Sequence, residues 1–114
     1  MNFDEYQKKA ITTDVFGGKP QPIGSHAFLA QLLGLMGEAG EIAEKFKKIY
    51  RDKNGVFDKE DKQEITMELG DVLWYIAVIS HYLEISMQDI VDLNLEKLKD
   101  RQKRGKLSGS GDNR

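Results

Sequence analysis

The chain has 114 residues, which is enough for one hydrophobic core but too short for two domains. Its 17 basic and 19 acidic residues give a formal net charge of -2, and this near-balance argues against a nucleic-acid binder, whose surface normally carries a basic excess. The absence of cysteine excludes disulfides, a thiolate nucleophile and a cysteine-based zinc site. Because the N-terminus lacks a signal-peptide pattern and no apolar run reaches membrane-spanning length, we expect a cytoplasmic protein without a membrane partner.

Capping residues and turn signals divide the chain into four predicted helices. Both prolines lie in residues 16–24, which we interpret as a loop, and Asn54-Gly55 marks a second break. No stretch shows the alternation of a β-strand, so four helices on short connections predict an all-α protein, a four-helix bundle. The predicted helices run from Asn2 to about Asp14, from Ser25 to about Tyr50, from Asp58 to about Leu83 and from Ser86 to about Lys103.

Two acidic motifs lie on the second and third predicted helices: Glu38-Ala-Gly-Glu41 and Glu68-Leu-Gly-Asp71. A spacing of three residues places both carboxylates of a motif on one side of a helix. Four carboxylates held beside a hydrophobic core would repel one another unless a cation lay between them. The pattern therefore predicts a divalent-metal site, and a metal held by carboxylates indicates phosphate chemistry.

The two motifs also have the same helical phase relative to the apolar residues around them. Two such helices packed antiparallel would bring the four carboxylates together at one edge of the core. The apolar arc of the second helix comprises Phe28, Leu32, Leu35, Ala39, Ile42, Ala43, Phe46, Ile49 and Tyr50. The arc of the third comprises Ile65, Leu69, Val72, Leu73, Ile76, Ile79 and Leu83.

A second apolar stripe on the third helix contains Met67, Trp74 and Val78. A helix that is apolar on two sides needs two packing partners. Because we do not expect one bundle to cover both sides, we predict a homo-oligomer, either a homodimer or a homotetramer, with Trp74 at the interface.

These motifs resemble those of the MazG-like nucleotide pyrophosphohydrolases, an all-α family. The family pattern is ExxE, a spacer and ExxD, and the spacer here is residues 42–67. The resemblance begins at Tyr6-Gln7 and resumes at Asn94-Leu-Glu-Lys97-Leu with Arg101. It implies a catalytic domain over residues 1–104, followed by a Gly/Ser-rich tail over residues 105–114.

The resemblance implies hydrolysis of a nucleoside triphosphate between its α- and β-phosphates, which yields a monophosphate and pyrophosphate. It assigns Glu38, Glu41, Glu68 and Asp71 to the binding of Mg²⁺, for which Mn²⁺ is a possible substitute. These hard oxygen donors are the ligands that Mg²⁺ prefers. A carboxylate that is not fully used as a ligand could accept the proton of the attacking water, and the sequence leaves open which one does so.

Five further side chains are predicted to bind substrate. The resemblance assigns Lys97 and Arg101 to the phosphates, with Asn94 on the same helical face; the alternative is that Asn94 is a structural amide and both cations are solvated. Tyr75 could stack on a base or pack in the bundle, and Gln31 could hydrogen-bond a base edge.

Alternatives remain open at this level. One is the related phosphoribosyl-ATP pyrophosphatase, which shares the acidic motifs. Another is a non-catalytic helical module that binds a metal or a nucleotide. The tail has the composition of a disordered linker, although its glycines could form an anion pocket, and we hypothesise that it folds over the site.

Overall fold

The structure is a computed structural model that describes residues 1–114. It contains four α-helices and no β-strand, which confirms the predicted all-α class. The helices are α1 (Phe3–Ile11), α2 (His26–Lys53), α3 (Lys59–Tyr82) and α4 (Met87–Lys103). None of them combines the length and the hydropathy that a bilayer-crossing segment needs.

The four predicted N-caps are confirmed. In each case the side chain of the capping residue accepts a hydrogen bond from a backbone N–H of the first turn, at distances of 2.8–3.2 Å. A capping box with both reciprocal bonds forms only at the third helix, between Asp58 and Asp61. The caps are Asn2, Ser25, Asp58 and Ser86.

Two helix ends differ from the prediction. α1 ends at Ile11, three residues before Asp14, because the hydroxyl groups of Thr12 and Thr13 bond to carbonyls of the last turn and the chain then turns away. α2 continues past Tyr50 to Lys53. It ends where Asn54 takes a left-handed conformation, with φ of 55°, which closes the last turn.

α2 and α3 form an antiparallel pair, as their contacts along the seam show. Lys53 of α2 bonds to Asp61 near the start of α3, and Gly34 lies against Tyr75 further along both helices. α1 packs on α3, and α4 packs on α1 and touches α3 near its end. No Cα atom of α4 lies within 8 Å of a Cα atom of α2.

The side-chain amide of Gln7 on α1 hydrogen-bonds to both α3 and α4. This buried side chain donates to the Ala77 carbonyl at 3.2 Å and to the Ser80 hydroxyl at 3.0 Å, and it accepts from the Met87 backbone at 3.1 Å. One glutamine therefore fixes α1 against the end of α3 and the start of α4.

Trp74, which we expected at an oligomer interface, is half-buried within one chain, and its place in an interface stays a prediction. Trp74 packs against α1, and its indole N–H donates to the Ala10 carbonyl at 3.1 Å and to the Thr13 hydroxyl at 2.8 Å. Val78 of the same stripe is fully buried, whereas Met67 is exposed. The first helix covers this side of α3, which the stripe alone could not reveal.

The apolar arc of α2, predicted to be core, is largely open within one chain. Only Ile49 of the arc is buried, while Leu32 is 39% and Tyr50 62% exposed. The physical reason is that α4 lies away from α2, so no fourth helix covers this face. The radius of gyration is 16.9 Å, against about 13 Å for a compact chain of this length.

Candidate metal centre

The α2–α3 seam brings both acidic motifs together. Oxygen atoms of Glu38, Glu68 and Asp71 lie within 4.8 Å of one another. Glu38 and Glu68 are half-buried, and Asp71 is exposed. We call these three side chains the carboxylate cluster. Its members come from both helices, so their convergence depends on the antiparallel packing that the matched helical phase predicted.

The carboxylate cluster places several like charges around Glu38. The pKa of Glu38 is raised above its ordinary value, first because a protonated Glu38 can share a hydrogen bond with Glu68, and then because of burial. Repulsion from Asp71, Glu68 and Glu41 raises this pKa further. Three hard oxygen donors this close together fit a divalent cation, whose positive charge would offset the repulsion among them.

Glu41 is the predicted ligand that lies outside the cluster. Its exposed carboxylate does not come within the 4.8 Å that joins the other three. It is still close enough to raise the pKa of Glu38 by repulsion. The structure thus brings three of the four predicted carboxylates together and leaves the fourth at their edge; the role of Glu41 as a ligand stays a prediction.

Lys45 is a charged neighbour of the cluster that the sequence reasoning missed. Its ammonium nitrogen lies 3.9 Å from a carboxylate oxygen of Glu68 and 3.5 Å from one of Glu64. The signal was present, because Lys45 follows Glu41 by four residues and Glu38 by seven, so all three share a helical face.

Tyr6 is a second neighbour, on α1. Burial raises the pKa of its phenol, and the negative charge of Asp71 raises it further. In the sequence analysis, Tyr6 was noted only as the start of the family resemblance. The effect of Asp71 on Tyr6 indicates that α1 runs near the cluster.

Tyr75, one helical turn after Asp71 on α3, packs within the chain. Its ring meets Trp74 edge-on, with ring centroids 4.9 Å apart and planes at 89°. Its other end lies against Gly34 of α2, where a Cβ atom would collide with the phenol ring. The structure thus gives Tyr75 a packing role, and its stacking on a base stays a prediction.

Gln31 is held in a buried network instead of facing an open pocket. It is 5% exposed, and its amide nitrogen donates to Asp14 at 3.1 Å and to the Tyr82 hydroxyl at 3.5 Å. A base edge would have to displace these partners. The contacts favour a structural role for Gln31 in this structure.

The predicted phosphate-binding cations on α4 are engaged by the C-terminal tail. Lys97 donates to the Asp112 carboxylate at 3.0 Å, and Arg101 donates to the Asp112 backbone carbonyl at 2.6 Å and to its carboxylate at 3.3 Å. Arg101 is 4% exposed, whereas Asn94 is exposed. The hydrogen bonds of the tail go to α4 or stay within the tail, and none reaches α2 or α3.

Comparisons with known proteins place the chain in a family. A family model for the MazG nucleotide pyrophosphohydrolase domain matches residues 26–105. The chain is 42% identical over 114 residues to the Gene 37 protein of Mycobacterium phage L5, and the match covers 100% of both chains. It is 36% identical over 72 residues to the uncharacterized protein YvdC of Bacillus subtilis (strain 168), which covers 59% of this chain and 68% of that protein. No solved structure gives a significant match. With both acidic motifs and the carboxylate cluster inside the matched region, the chain belongs to the MazG nucleotide pyrophosphohydrolase domain family.

Proposed function

We propose that the protein is a Mg²⁺-dependent pyrophosphohydrolase that cleaves ribo- or deoxyribonucleoside triphosphates to monophosphates and pyrophosphate. The observation that supports this most directly is the carboxylate cluster, in which both acidic motifs contribute oxygen atoms within 4.8 Å. Membership of the MazG family supports the reaction class. A broad substrate range would suit a house-cleaning role, in which the enzyme removes unwanted triphosphates.

The carboxylate cluster would hold the metal through Glu38, Glu68 and Asp71, with Mn²⁺ as a possible substitute. Bound Mg²⁺ supplies positive charge that stabilises the phosphate oxygens during attack on phosphorus. The chain itself has to supply a proton acceptor for the attacking water. Glu41, at the edge of the cluster and outside the group of three, is the carboxylate that is free for this role.

Substrate contacts are proposed on the remaining predicted residues. Lys97 and Arg101 would bind the phosphates once Asp112 releases them, and Asn94 lies near Lys97 on the same surface of α4. Tyr75 would contact the base from its position between Trp74 and Gly34. Gln31 would contribute indirectly, by holding α2 against the loop after α1, because its amide is already hydrogen-bonded to Asp14.

We further propose that the chain assembles as a homodimer or a homotetramer through the open face of α2. Only 12 of 114 residues are buried in one chain, so much of the apolar surface still lacks a partner. A second copy could cover this surface, and light scattering at micromolar concentration tests this; a pure monomer would contradict it. Large apolar side chains that are exposed on α2 are Leu29, Leu32, Leu33, Met36, Phe46 and Tyr50.

Pyrophosphate release from a panel of canonical and modified nucleoside triphosphates tests the proposed activity. We expect turnover with Mg²⁺ or Mn²⁺, loss of turnover with EDTA, and loss in Asp71→Asn, which removes one charge from the cluster. Asp100→Asn is the matched control, since Asp100 pairs with Arg104 on α4. Phosphoribosyl-ATP belongs in the panel, because a preference for it would favour the related pyrophosphatase.

A non-catalytic module is the main competing function. Such a protein would gain thermal stability from metal or nucleotide but release no pyrophosphate from any substrate in the panel. That combination of results would replace the enzymatic proposal with a binding role.

A further inference from the structure

The carboxylate cluster takes part in one ion pair within the chain, and its partner is Lys45. Neither Glu38 nor Asp71 has a basic group within 4.0 Å, and Glu68 has only the Lys45 ammonium, at 3.9 Å. Lys45 therefore supplies the nearest positive charge to a cluster whose members repel one another.

Lys45 is shared loosely between two carboxylates. Glu64 and Glu68 lie one turn apart on α3, and Lys45 reaches both from α2, at 3.5 Å and 3.9 Å. By contrast, Lys53 bonds to Asp61 at 2.9 Å and to Asp58 at 3.0 Å, which fixes the turn between the helices. The longer distances from the Lys45 nitrogen to its two carboxylates indicate that its side chain is not held in a single conformation.

Lys45 also has room to change partner. Its side chain is 28% exposed, and together with Glu64 it lines a cleft of about 250 Å³ beside the seam. An ammonium on a four-carbon stem keeps freedom to rotate toward a new anion in such a space.

A divalent cation and the Lys45 ammonium need the same carboxylate. A metal held by the cluster would take oxygen atoms of Glu68, and its positive charge would repel a nearby ammonium. The phosphate chain of a nucleotide bound to that metal would present negative charge at the same place. An ammonium released from Glu68 finds its best new partner among those phosphate oxygens.

We propose that Lys45 exchanges partners during the reaction cycle: it pairs with Glu68 in the metal-free protein and moves to a phosphate oxygen of the substrate when the metal takes Glu68. The proposal rests on the proposed function for its second half, because a phosphate partner requires a nucleotide substrate. Its first half concerns only Lys45, Glu68 and the metal.

The first half is tested by calorimetric titration of Mn²⁺ into nucleotide-free protein at low ionic strength. Lys45→Met removes the competing cation, so we expect Mn²⁺ to bind about three- to fivefold more tightly than to the wild type, the range of a partly exposed ion pair. Lys45→Arg keeps the charge and should bind Mn²⁺ as the wild type does. Equal or weaker binding by Lys45→Met would overturn this half.

The second half is tested by the steady-state kinetics of pyrophosphate release with saturating Mg²⁺. Lys45→Met should raise KM about tenfold, the usual effect of losing one charge-assisted hydrogen bond, with a smaller change in kcat. Lys45→Arg should largely restore KM. A purely structural lysine would instead weaken metal binding and turnover together, and that result would also overturn the proposal.

Lys47→Met is the matched control for both tests. Lys47 lies on the same helix but is 66% exposed and pairs with Glu44, away from the cluster. It should leave the Mn²⁺ affinity and KM unchanged. A wild type without pyrophosphatase activity would remove the proposed function, while the Mn²⁺ titration would still decide whether Lys45 competes for Glu68.

Discussion

The hydroxyl of Tyr82, near the end of α3, donates a 2.6 Å hydrogen bond to the buried carboxylate of Asp14 in the loop after α1. Burial and this bond raise the pKa of Tyr82 to about 12. Asp14 also accepts hydrogen bonds from the backbone of Phe16 and Gly18 and from the amide of Gln31. The Asp14 carboxylate thus fastens the loop to both long helices.

Removal of the Tyr82 hydroxyl should destabilise the fold. Tyr82→Phe leaves the buried Asp14 charge with one donor fewer, and we expect a loss of about 1.5–3 kcal/mol in the free energy of unfolding. Chemical denaturation followed by circular dichroism measures it. Tyr50→Phe is the control, because Tyr50 is 62% exposed, and it should change stability little. Equal stability of the two variants would show that the network contributes nothing.

The local features of this fold could be predicted from the sequence. A capping side chain acts on a backbone N–H three residues away, so Asn2, Ser25, Asp58 and Ser86 each marked a helix start correctly. The matched helical phase of the acidic motifs likewise predicted that Glu38 would meet Glu68, because an antiparallel pair needs only the right face on each helix.

Features that depend on distant packing could not be predicted in this way. Asp14 appeared to end the first helix, but its buried position depends on Tyr82, which lies 68 residues later. The helical phase of α2 correctly predicted an apolar face, but it could not show whether α4 would cover that face. Lys97 and Arg101 appeared solvated or substrate-bound, since nothing in their spacing reveals that residue 112 folds back on them.

Two glycines of α2 should respond in opposite ways to substitution by alanine. A Cβ atom at Gly37 meets nothing within 4 Å, so Gly37→Ala should stabilise the helix by about 0.5–1 kcal/mol through the lower flexibility of the unfolded chain. At Gly34 the same atom collides with the Tyr75 ring, which is packed on Trp74. Gly34→Ala should therefore lose that gain and unfold at a lower temperature than Gly37→Ala.

Thermal denaturation of both variants compares them directly, and the near-ultraviolet circular dichroism of Trp74 and Tyr75 reports whether the ring pair has moved. A Gly34→Ala protein as stable as Gly37→Ala, with an unchanged aromatic signal, would show that α2 and α3 are less closely packed than the structure indicates.

Removal of one cluster charge should change the response of the protein to metal. Glu38→Gln removes a carboxyl group whose pKa is raised by a hydrogen bond with Glu68, by burial and by repulsion from nearby carboxylates. The metal-free variant should therefore unfold at the same temperature as the wild type or higher. Mg²⁺ at about 100 times its dissociation constant should stabilise the wild type by about 2.7 kcal/mol. Most of this gain should be absent from Glu38→Gln.

Glu96→Gln, at an exposed position of α4 outside the cluster, is the control and should keep the full gain from Mg²⁺. Thermal unfolding of the wild type and both variants, each with Mg²⁺ and with EDTA, measures the stability that each protein gains from the metal. A Glu38→Gln protein that gains as much stability from Mg²⁺ as the wild type would place the metal elsewhere.

The tail should undock from α4 in acid. Lys97, and then Arg101, hold the pKa of Asp112 below its ordinary value of 3.8. Because the folded pKa is the lower one, the stabilising effect of the ionised carboxylate is fully present above pH 3.8 and is lost as the pH falls through the lowered pKa. The amide signals of Gly109 and Gly111 in an NMR titration should therefore keep their docked positions down to about pH 4 and move below it.

Asp112→Asn should show the undocked signals already at neutral pH, because Lys97 and Arg101 then lose their carboxylate partner. It should also lower KM for a nucleoside triphosphate, since an anion that competes with the phosphates has been removed. Asp100→Asn, which breaks the separate pair with Arg104, should leave the tail docked and KM unchanged. An Asp112→Asn protein with docked tail signals at neutral pH would show that the backbone bond from Arg101 to the Asp112 carbonyl holds the tail by itself.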